Sequence, residues 1–226
     1  MRKKNIKLHD VDYLQNEKVR MKDRDKVEEL INILVSGGKE RLQVISDFDM
    51  TLTKQHENGN RCITSFGIFE FSHHLPPNYR EKSRALFNKY YPIEVCHQMS
   101  VEDKIPHMIE WYKEAEKLLQ GCHLTPEDIV EAVNETHTIL RDGTEKMFET
   151  LEAAGIPVLV LSAGVGDVVA AVLRKHSVNQ QNLTIVSNFL EFSQKGKVTI
   201  LEGFKGECIH VFNKHTAGSG PNSHGE

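Results

Sequence analysis

The sequence lacks the features that mark membrane, secreted and disulfide-bonded proteins. No apolar run approaches the ~18 consecutive residues of a membrane span, and residues 1–10 are basic and polar, without the apolar segment of a secretory signal. The four cysteines form no CxxC pair, so neither a disulfide framework nor a zinc site is indicated. We therefore expect a cytoplasmic protein that does not enter a membrane.

A strong excess of either charge is also lacking. The 226 residues contain 28 Lys and Arg against 32 Asp and Glu, which gives a formal net charge of −4. Binding to a nucleic acid polymer usually depends on a strongly basic surface, so this balance argues against such a partner. The hydrophobic fraction of 39% is ordinary for a globular protein, and we expect a monomer.

Apolar patterning indicates which segments form helices and strands. Helical spacing and helix-start signals predict helices over residues 22–36, 79–91, 101–120, 144–154 and 167–176, and one that starts at 125–128. Short apolar runs predict strands at residues 42–49, 156–161 and 183–187, and weaker edge strands that could pair at 197–201 and 208–212. Strands that alternate with helices indicate an α/β domain with a mostly parallel sheet.

These patterns divide the chain into four parts. Residues 1–20 are expected to form a polar arm, and residues 21–54 and 146–214 an α/β core. Residues 55–145 are rich in charge and in helical patterns, which indicates an inserted helical cap. Residues 215–226 contain no large apolar side chain and have the composition of a disordered tail.

An acidic pair at the end of the first predicted strand is the strongest chemical signal. Asp47 and Asp49 lie where the strand runs into a loop, and ligands of α/β sheets bind beyond the carboxyl ends of strands. One carboxylate could attack phosphorus while the other protonates the leaving oxygen. Such a pair would also attract Mg²⁺, which favours oxygen ligands. By itself the motif is weak, because an aspartate after a strand often only caps a turn.

Two further features suit a phosphate group. The second predicted strand ends in Ser162-Ala163-Gly164, where a hydroxyl, small side chains and a following helix start could hold a phosphate. A plain strand-to-helix turn would look the same in isolation. Lys214 could neutralise phosphate charge, although a single lysine is normally solvated.

Several stretches together resemble the cytosolic 5′-nucleotidase III family, which includes pyrimidine 5′-nucleotidases and 7-methylguanosine-phosphate nucleotidases. The matching stretches follow the family's order at residues 41–52, 90–94, 110–112, 162–167, 186–189, 203–206 and 209–214. The resemblance implies a Rossmann-like core of the haloacid dehalogenase type, with a parallel sheet and an inserted helical cap domain. It also implies a Mg²⁺-dependent phosphoric monoester hydrolase, with nucleoside monophosphates as its substrates.

The same resemblance implies roles for individual residues. Asp47 would be the nucleophile and Asp49 the acid/base, and the Asp47 carboxylate and Asp49 main-chain carbonyl would bind Mg²⁺. The residues that would contact the substrate are Glu94 at the nucleoside and Ser162, Ala163 and Lys214 at the phosphate.

Two departures from the family pattern keep alternatives open. Some members carry a substrate-contacting serine where this chain has Ala115, a difference that bears on base preference. The family also continues after Lys214 into a strand that ends in Gly-Asp-Ser-x-Gly-Asp, whose acids complete the Mg²⁺ site, whereas this chain turns into its polar tail. One alternative is therefore a truncated, catalytically impaired form that binds nucleotide weakly. Another is a phosphatase for sugar phosphates or phosphoserine on the same fold.

Overall fold

Strands and helices alternate along the chain in a computed structural model, which describes residues 5–136, 138–216 and 223–224. The strands are β1 (Val44–Ser46), β2 (His56–Glu57), β3 (Asn60–Arg61), β4 (Val158–Val165), β5 (Leu183–Asn188), β6 (Leu190–Lys195), β7 (Val198–Phe204) and β8 (Ser223–His224). The α-helices are α1 (Arg24–Gly37), α2 (Tyr79–Glu94), α3 (Val101–Leu119), α4 (Pro126–Glu135), α5 (Thr144–Ala153) and α6 (Gly166–Lys175).

The main sheet has four strands in the order β1-β4-β5-β8. The pairs β1–β4 and β4–β5 are parallel, and Val158 lies opposite both Val44 and Leu183. The predicted parallel sheet is therefore confirmed. Because the carboxyl ends of parallel strands meet at one edge, the residues that follow β1 lie beside the ends of β4 and β5.

The segment between β1 and β4 is mainly helical, as predicted. Its helices α2 and α3 pack against each other, whereas α4 packs on α6 beside the main sheet. One continuous hydrophobic core joins the two regions, and it includes Phe48, Ile68, Leu119, Ile129 and Val160. The Thr125 hydroxyl oxygen accepts a hydrogen bond from the Asp128 N–H and caps α4, as the sequence predicted. No helix in the described ranges has the length and apolarity needed to cross a membrane.

The predicted strand at residues 197–201 is confirmed as β7, whereas the predicted strand at 208–212, and its pairing with 197–201, are wrong. β7 pairs with β6 in an antiparallel hairpin that packs on α3, and Lys195 lies opposite Val198 around the turn. Residues 208–212 form no strand because side-chain amides bind their main chain. The N–H of Ile209 donates to Asn188 Oδ1 at 2.7 Å, and that of His210 donates to Asn213 Oδ1 at 2.7 Å.

The two ends of the described chain contact the core. The N–H of Leu8 donates to the Glu28 carboxylate at 3.1 Å, and Asn32 exchanges two hydrogen bonds with Ile6, so the arm lies along α1. At the other end, β8 pairs antiparallel with β5 and places His224 opposite Ile185. The remainder of the predicted tail, at 217–222 and 225–226, and the start of the arm, at 1–4, lie outside the described residues.

Lys175 connects α6 to the end of α4. Its Nζ donates to the main-chain oxygens of Val133 at 2.8 Å and Thr136 at 3.1 Å, where helix carbonyls have no helical partner.

We expect Lys175→Met to lower the free energy of unfolding by about 1–2 kcal/mol in urea denaturation. The control is Lys146→Met, which removes an exposed pair with Glu149 and should cost less than about 0.5 kcal/mol. Equal losses in the two variants would contradict this role of Lys175.

Candidate active site

Asp47 and Lys214 form an ion pair at the carboxyl end of β1. Lys214 Nζ lies 2.5 Å from Asp47 Oδ1, and the side chain of Asp47 is 41% exposed. The second carboxylate oxygen accepts a long bond of 3.4 Å from the Thr51 hydroxyl. The carboxylate is therefore held on one side by a cation and is open to a ligand on the other.

Asp49 is bound by a serine that the sequence reasoning missed. Ser65 donates its main-chain N–H to Asp49 Oδ1 at 2.9 Å and its hydroxyl to Oδ2 at 2.6 Å. Burial raises the pKa of the Asp49 carboxyl above its usual range, and the two bonds from Ser65 oppose that rise. Ser65 lies in an irregular loop of the insertion, where no periodicity or motif distinguishes it from other serines.

The loop that carries the acidic pair has a fixed conformation. Met50 adopts a positive φ of 59°, and its N–H donates to the Thr53 hydroxyl at 2.8 Å. The guanidinium of Arg141 donates to the main-chain oxygens of Met50 and Thr51, both at 2.8 Å. A fixed loop keeps the carboxylates at defined positions relative to β4.

The end of β4, where the sequence predicts a phosphate-binding loop, lies beside Asp49. Ser162 is 1% exposed, and its Oγ accepts the N–H of Gly164 at 3.0 Å. A Cβ atom on Gly164 would lie 2.0 Å from Ser65 Oγ and 3.0 Å from Asp49 Oδ2. Glycine is therefore required at this position, since any side chain would displace Ser65 from the carboxylate.

Glu94 is the last residue of α2. Lys104 Nζ donates to the main-chain oxygen of Glu94 at 3.0 Å, and burial raises the pKa of the Glu94 carboxyl while Lys104 offsets part of that rise. Burial also raises the pKa of the Tyr112 phenol, and the charges of Glu94, Asp49 and Asp47 raise it further. The charges of these three carboxylates therefore all act on one partly buried phenol. Ala115 lies on α3, three residues after Tyr112.

The oxygen atoms of the acidic pair fit a magnesium ion. Mg²⁺ in proteins is often held by one or two carboxylates together with waters and the phosphate oxygens of the substrate. The less occupied Oδ2 of Asp47 and the main-chain oxygen of Asp49 provide hard donors of this kind. Elsewhere in the described ranges, side chains of metal-ligand type cluster at His74, Asp128 and Glu131, the last two of which lie on α4.

The structure thus brings together five of the six residues that the sequence predicts for the site. Asp47, Asp49 and Lys214 meet at the end of β1, and the loop that contains Ser162 and Ala163 adjoins them. The sixth, Glu94, ends α2, and its charge acts on the same Tyr112 phenol as the charges of Asp47 and Asp49. Their roles in binding and catalysis remain predictions.

Comparisons with known proteins point to one family. A family model described as Pyrimidine 5′-nucleotidase (UMPH-1) matches residues 50–222. The human 7-methylguanosine phosphate-specific 5′-nucleotidase is 38% identical over 208 residues, which cover 92% of this chain and 68% of the relative. The Drosophila melanogaster protein of the same name is 40% identical over 211 residues, which cover 93% of this chain and 65% of the relative.

A solved structure is similar over almost the whole fold. The crystal structure of cytosolic 5′-nucleotidase IIIB bound to cytidine gives a TM-score of 0.84 at 40% identity, over 92% of this chain and 69% of that chain. This similarity confirms the predicted α/β core, and the chain spans about two thirds of the length of these relatives. The chain belongs to the pyrimidine 5′-nucleotidase (UMPH-1) family.

Proposed function

We propose that this chain is a Mg²⁺-dependent 5′-nucleotidase that converts nucleoside 5′-monophosphates to nucleoside and inorganic phosphate. The observation that carries the proposal is the exposed Asp47 carboxylate, held by Lys214 at 2.5 Å beside the phosphate loop of β4. The names of the relatives, together with cytidine in the related structure, support pyrimidine and 7-methylguanosine monophosphates as substrates. We also propose a cytosolic location, because the related structure is named as a cytosolic enzyme.

The first half of the reaction would transfer the phosphoryl group to Asp47. Its carboxylate oxygen attacks phosphorus, and the bond between phosphorus and the 5′ oxygen breaks. Asp49 gives its proton to the departing 5′ oxygen, so that the nucleoside leaves neutral. The position of Asp49, held at both oxygens by Ser65, supports this assignment because a proton donor must keep a fixed direction.

The second half would release phosphate. Asp49, now a carboxylate, accepts a proton from a water molecule while the water oxygen attacks phosphorus. The acyl-phosphate bond breaks, and Asp47 regains its carboxylate. The ammonium of Lys214 offsets the negative charge that the phosphate brings to Asp47.

The remaining site residues would bind and enclose the substrate. Ser162 and Ala163 hold phosphate oxygens, and Glu94 contacts the nucleoside from the insertion. We propose that the insertion, residues 55–145, acts as a cap that excludes water from the phosphorus. The Asp47 carboxylate and the Asp49 main-chain oxygen would hold Mg²⁺, which neutralises phosphoryl charge when it is bound.

Phosphate release from a substrate panel tests the proposal. We expect turnover of cytidine, uridine and 7-methylguanosine monophosphates, and much slower turnover of phosphoserine and glucose 6-phosphate. Removal of Mg²⁺ with EDTA should slow the reaction by roughly a hundredfold or more, and added Mg²⁺ should restore it. Nucleotide binding in calorimetry without turnover would favour the impaired form instead. Preference for phosphoserine or a sugar phosphate would favour a general phosphatase.

A further inference from the structure

The carbonyl oxygen of Ala163 accepts hydrogen bonds from two side chains that belong to different parts of the fold. The phenol of Tyr112, on α3 in the insertion, donates to this oxygen at 3.0 Å. The side-chain amide of Asn188, at the end of β5, donates to it at 2.9 Å. Both lone pairs of this oxygen are thus occupied. Tyr112 is 51 positions from Ala163 in the sequence, and Asn188 is 25 positions from it.

Asn188 is buried, and its amide is fixed in one orientation. The residue is 1% exposed, its second N–H donates to the Ile209 carbonyl at 2.8 Å, and its Oδ1 accepts the Ile209 N–H at 2.7 Å. A rotated amide would direct its N–H groups at a donor and its oxygen at two carbonyls. Asn188 therefore links Ala163 to the segment that leads to Lys214.

The Tyr112 side chain is fixed by its neighbours as well. Its ring packs edge-on against Phe66, with the ring centroids 5.6 Å apart, and lies 6.4 Å from the ring of His210. Burial raises the pKa of the phenol, so the hydroxyl keeps its proton and acts as a donor. Tyr112 therefore reaches the core from α3 in a defined direction.

The peptide unit that Tyr112 and Asn188 hold also orients Ser162. The carbonyl of Ala163 and the N–H of Gly164 belong to one planar trans unit and point in opposite directions. That N–H donates to Ser162 Oγ at 3.0 Å. Because Ser162 Oγ accepts this bond, its own O–H is available to donate into the site. A rotation of the peptide plane would release the hydroxyl from this orientation.

We propose that Tyr112 and Asn188 are positioning residues that set the direction of the Ser162 hydroxyl, and hence phosphate affinity, through the peptide unit between Ala163 and Gly164. This inference rests on the proposed function, in which Ser162 holds the phosphate. Because Tyr112 lies on α3 in the insertion, the affinity for phosphate depends on the position of α3 relative to the core.

The variant Tyr112→Phe tests the inference with a readout that is independent of turnover. It keeps the ring and removes the hydroxyl, and calorimetric titration with inorganic phosphate in Mg²⁺ should show roughly tenfold weaker binding. Affinity for cytidine, which has no phosphate, should not change. The matched control is Tyr90→Phe, because Tyr90 is fully buried on α2 and its hydroxyl accepts from Lys89 at 2.8 Å instead. The control should bind phosphate as the parent chain does.

A double-mutant cycle separates positioning from a general loosening of the fold. In a Ser162→Ala background, Tyr112→Phe should have little further effect on phosphate affinity, since the hydroxyl that it orients is absent. The same loss in both backgrounds, a parallel loss of cytidine affinity, or parental phosphate affinity in Tyr112→Phe would each overturn the inference. A parent chain that binds phosphate but hydrolyses no nucleotide would contradict the proposed function alone.

Discussion

Asp47→Asn should slow phosphate release from nucleoside monophosphates by about 10⁴-fold or more, because the proposed mechanism passes through a bond to this carboxylate. An asparagine amide has nearly the same shape and can still accept from Lys214 Nζ, which lies 2.5 Å from Asp47 Oδ1. The loss should therefore appear in kcat and leave thermal stability close to that of the parent. The measurement is initial-rate phosphate release at saturating nucleotide, together with thermal unfolding.

The control for charge removal is Asp142→Asn. The side chain of Asp142 is 94% exposed and pairs with Lys54 at 2.9 Å on the surface. Its neutralisation should leave kcat unchanged, which would show that a change of net charge does not explain the Asp47 result. Full activity in Asp47→Asn would refute the assignment of the nucleophile. A parental rate in both variants would place the reacting group elsewhere.

Gly164→Ala is expected to damage both stability and catalysis. The added Cβ would lie 2.0 Å from Ser65 Oγ and 3.0 Å from Asp49 Oδ2, so the serine must move away from the carboxylate that it holds. Such overpacking costs about 1–3 kcal/mol of unfolding free energy. A displacement of about 1 Å in a catalytic group can also reduce kcat by roughly a hundredfold. Urea denaturation and steady-state kinetics on one preparation measure the two effects.

Gly37→Ala is the matched control for this substitution. Gly37 is the last residue of α1, and the nearest atom to a Cβ built there is Arg41 Cβ at 3.8 Å, an ordinary contact. Alanine is the better helix former, so stability should stay equal or rise by up to about 1 kcal/mol, with unchanged kcat. If Gly164→Ala matched this control in both measurements, the tight packing between β4 and Ser65 would be contradicted.

Local patterns were sufficient to predict the main elements and the parts of the site that lie on them. The apolar runs before Asp47 and Ser162 form β1 and β4, because the strand preference of short β-branched segments is encoded in adjacent residues. The parallel order then brings the two strand ends together. The resemblance to a known family added Glu94 and gave weight to Lys214, because no local pattern distinguishes either residue from a solvated charge.

Interactions between distant residues were the part that the sequence did not reveal. β7 pairs with β6 and not with residues 208–212. The main chain of residues 208–212 is bound instead by the side-chain amides of Asn188 and Asn213. Ser65 was missed for the same reason, since its importance lies in contacts with Asp49 and with the N–H of Val165 at 3.4 Å. Such side-chain hydrogen bonds produce no periodic pattern in the sequence.

The ion pair between Asp47 and Lys214 has a consequence for biosynthesis. Its members are 167 positions apart, so a nascent chain on the ribosome carries the first carboxylate long before its cation is translated. Until Lys214 has been translated, its charge cannot offset that of the acidic pair. Stable packing of the early strands also requires contacts with residues that are far away in the sequence, and such contacts slow folding. The ion pair can therefore form only after residue 214 has been translated, and cleavage of the chain before Lys214 should remove it.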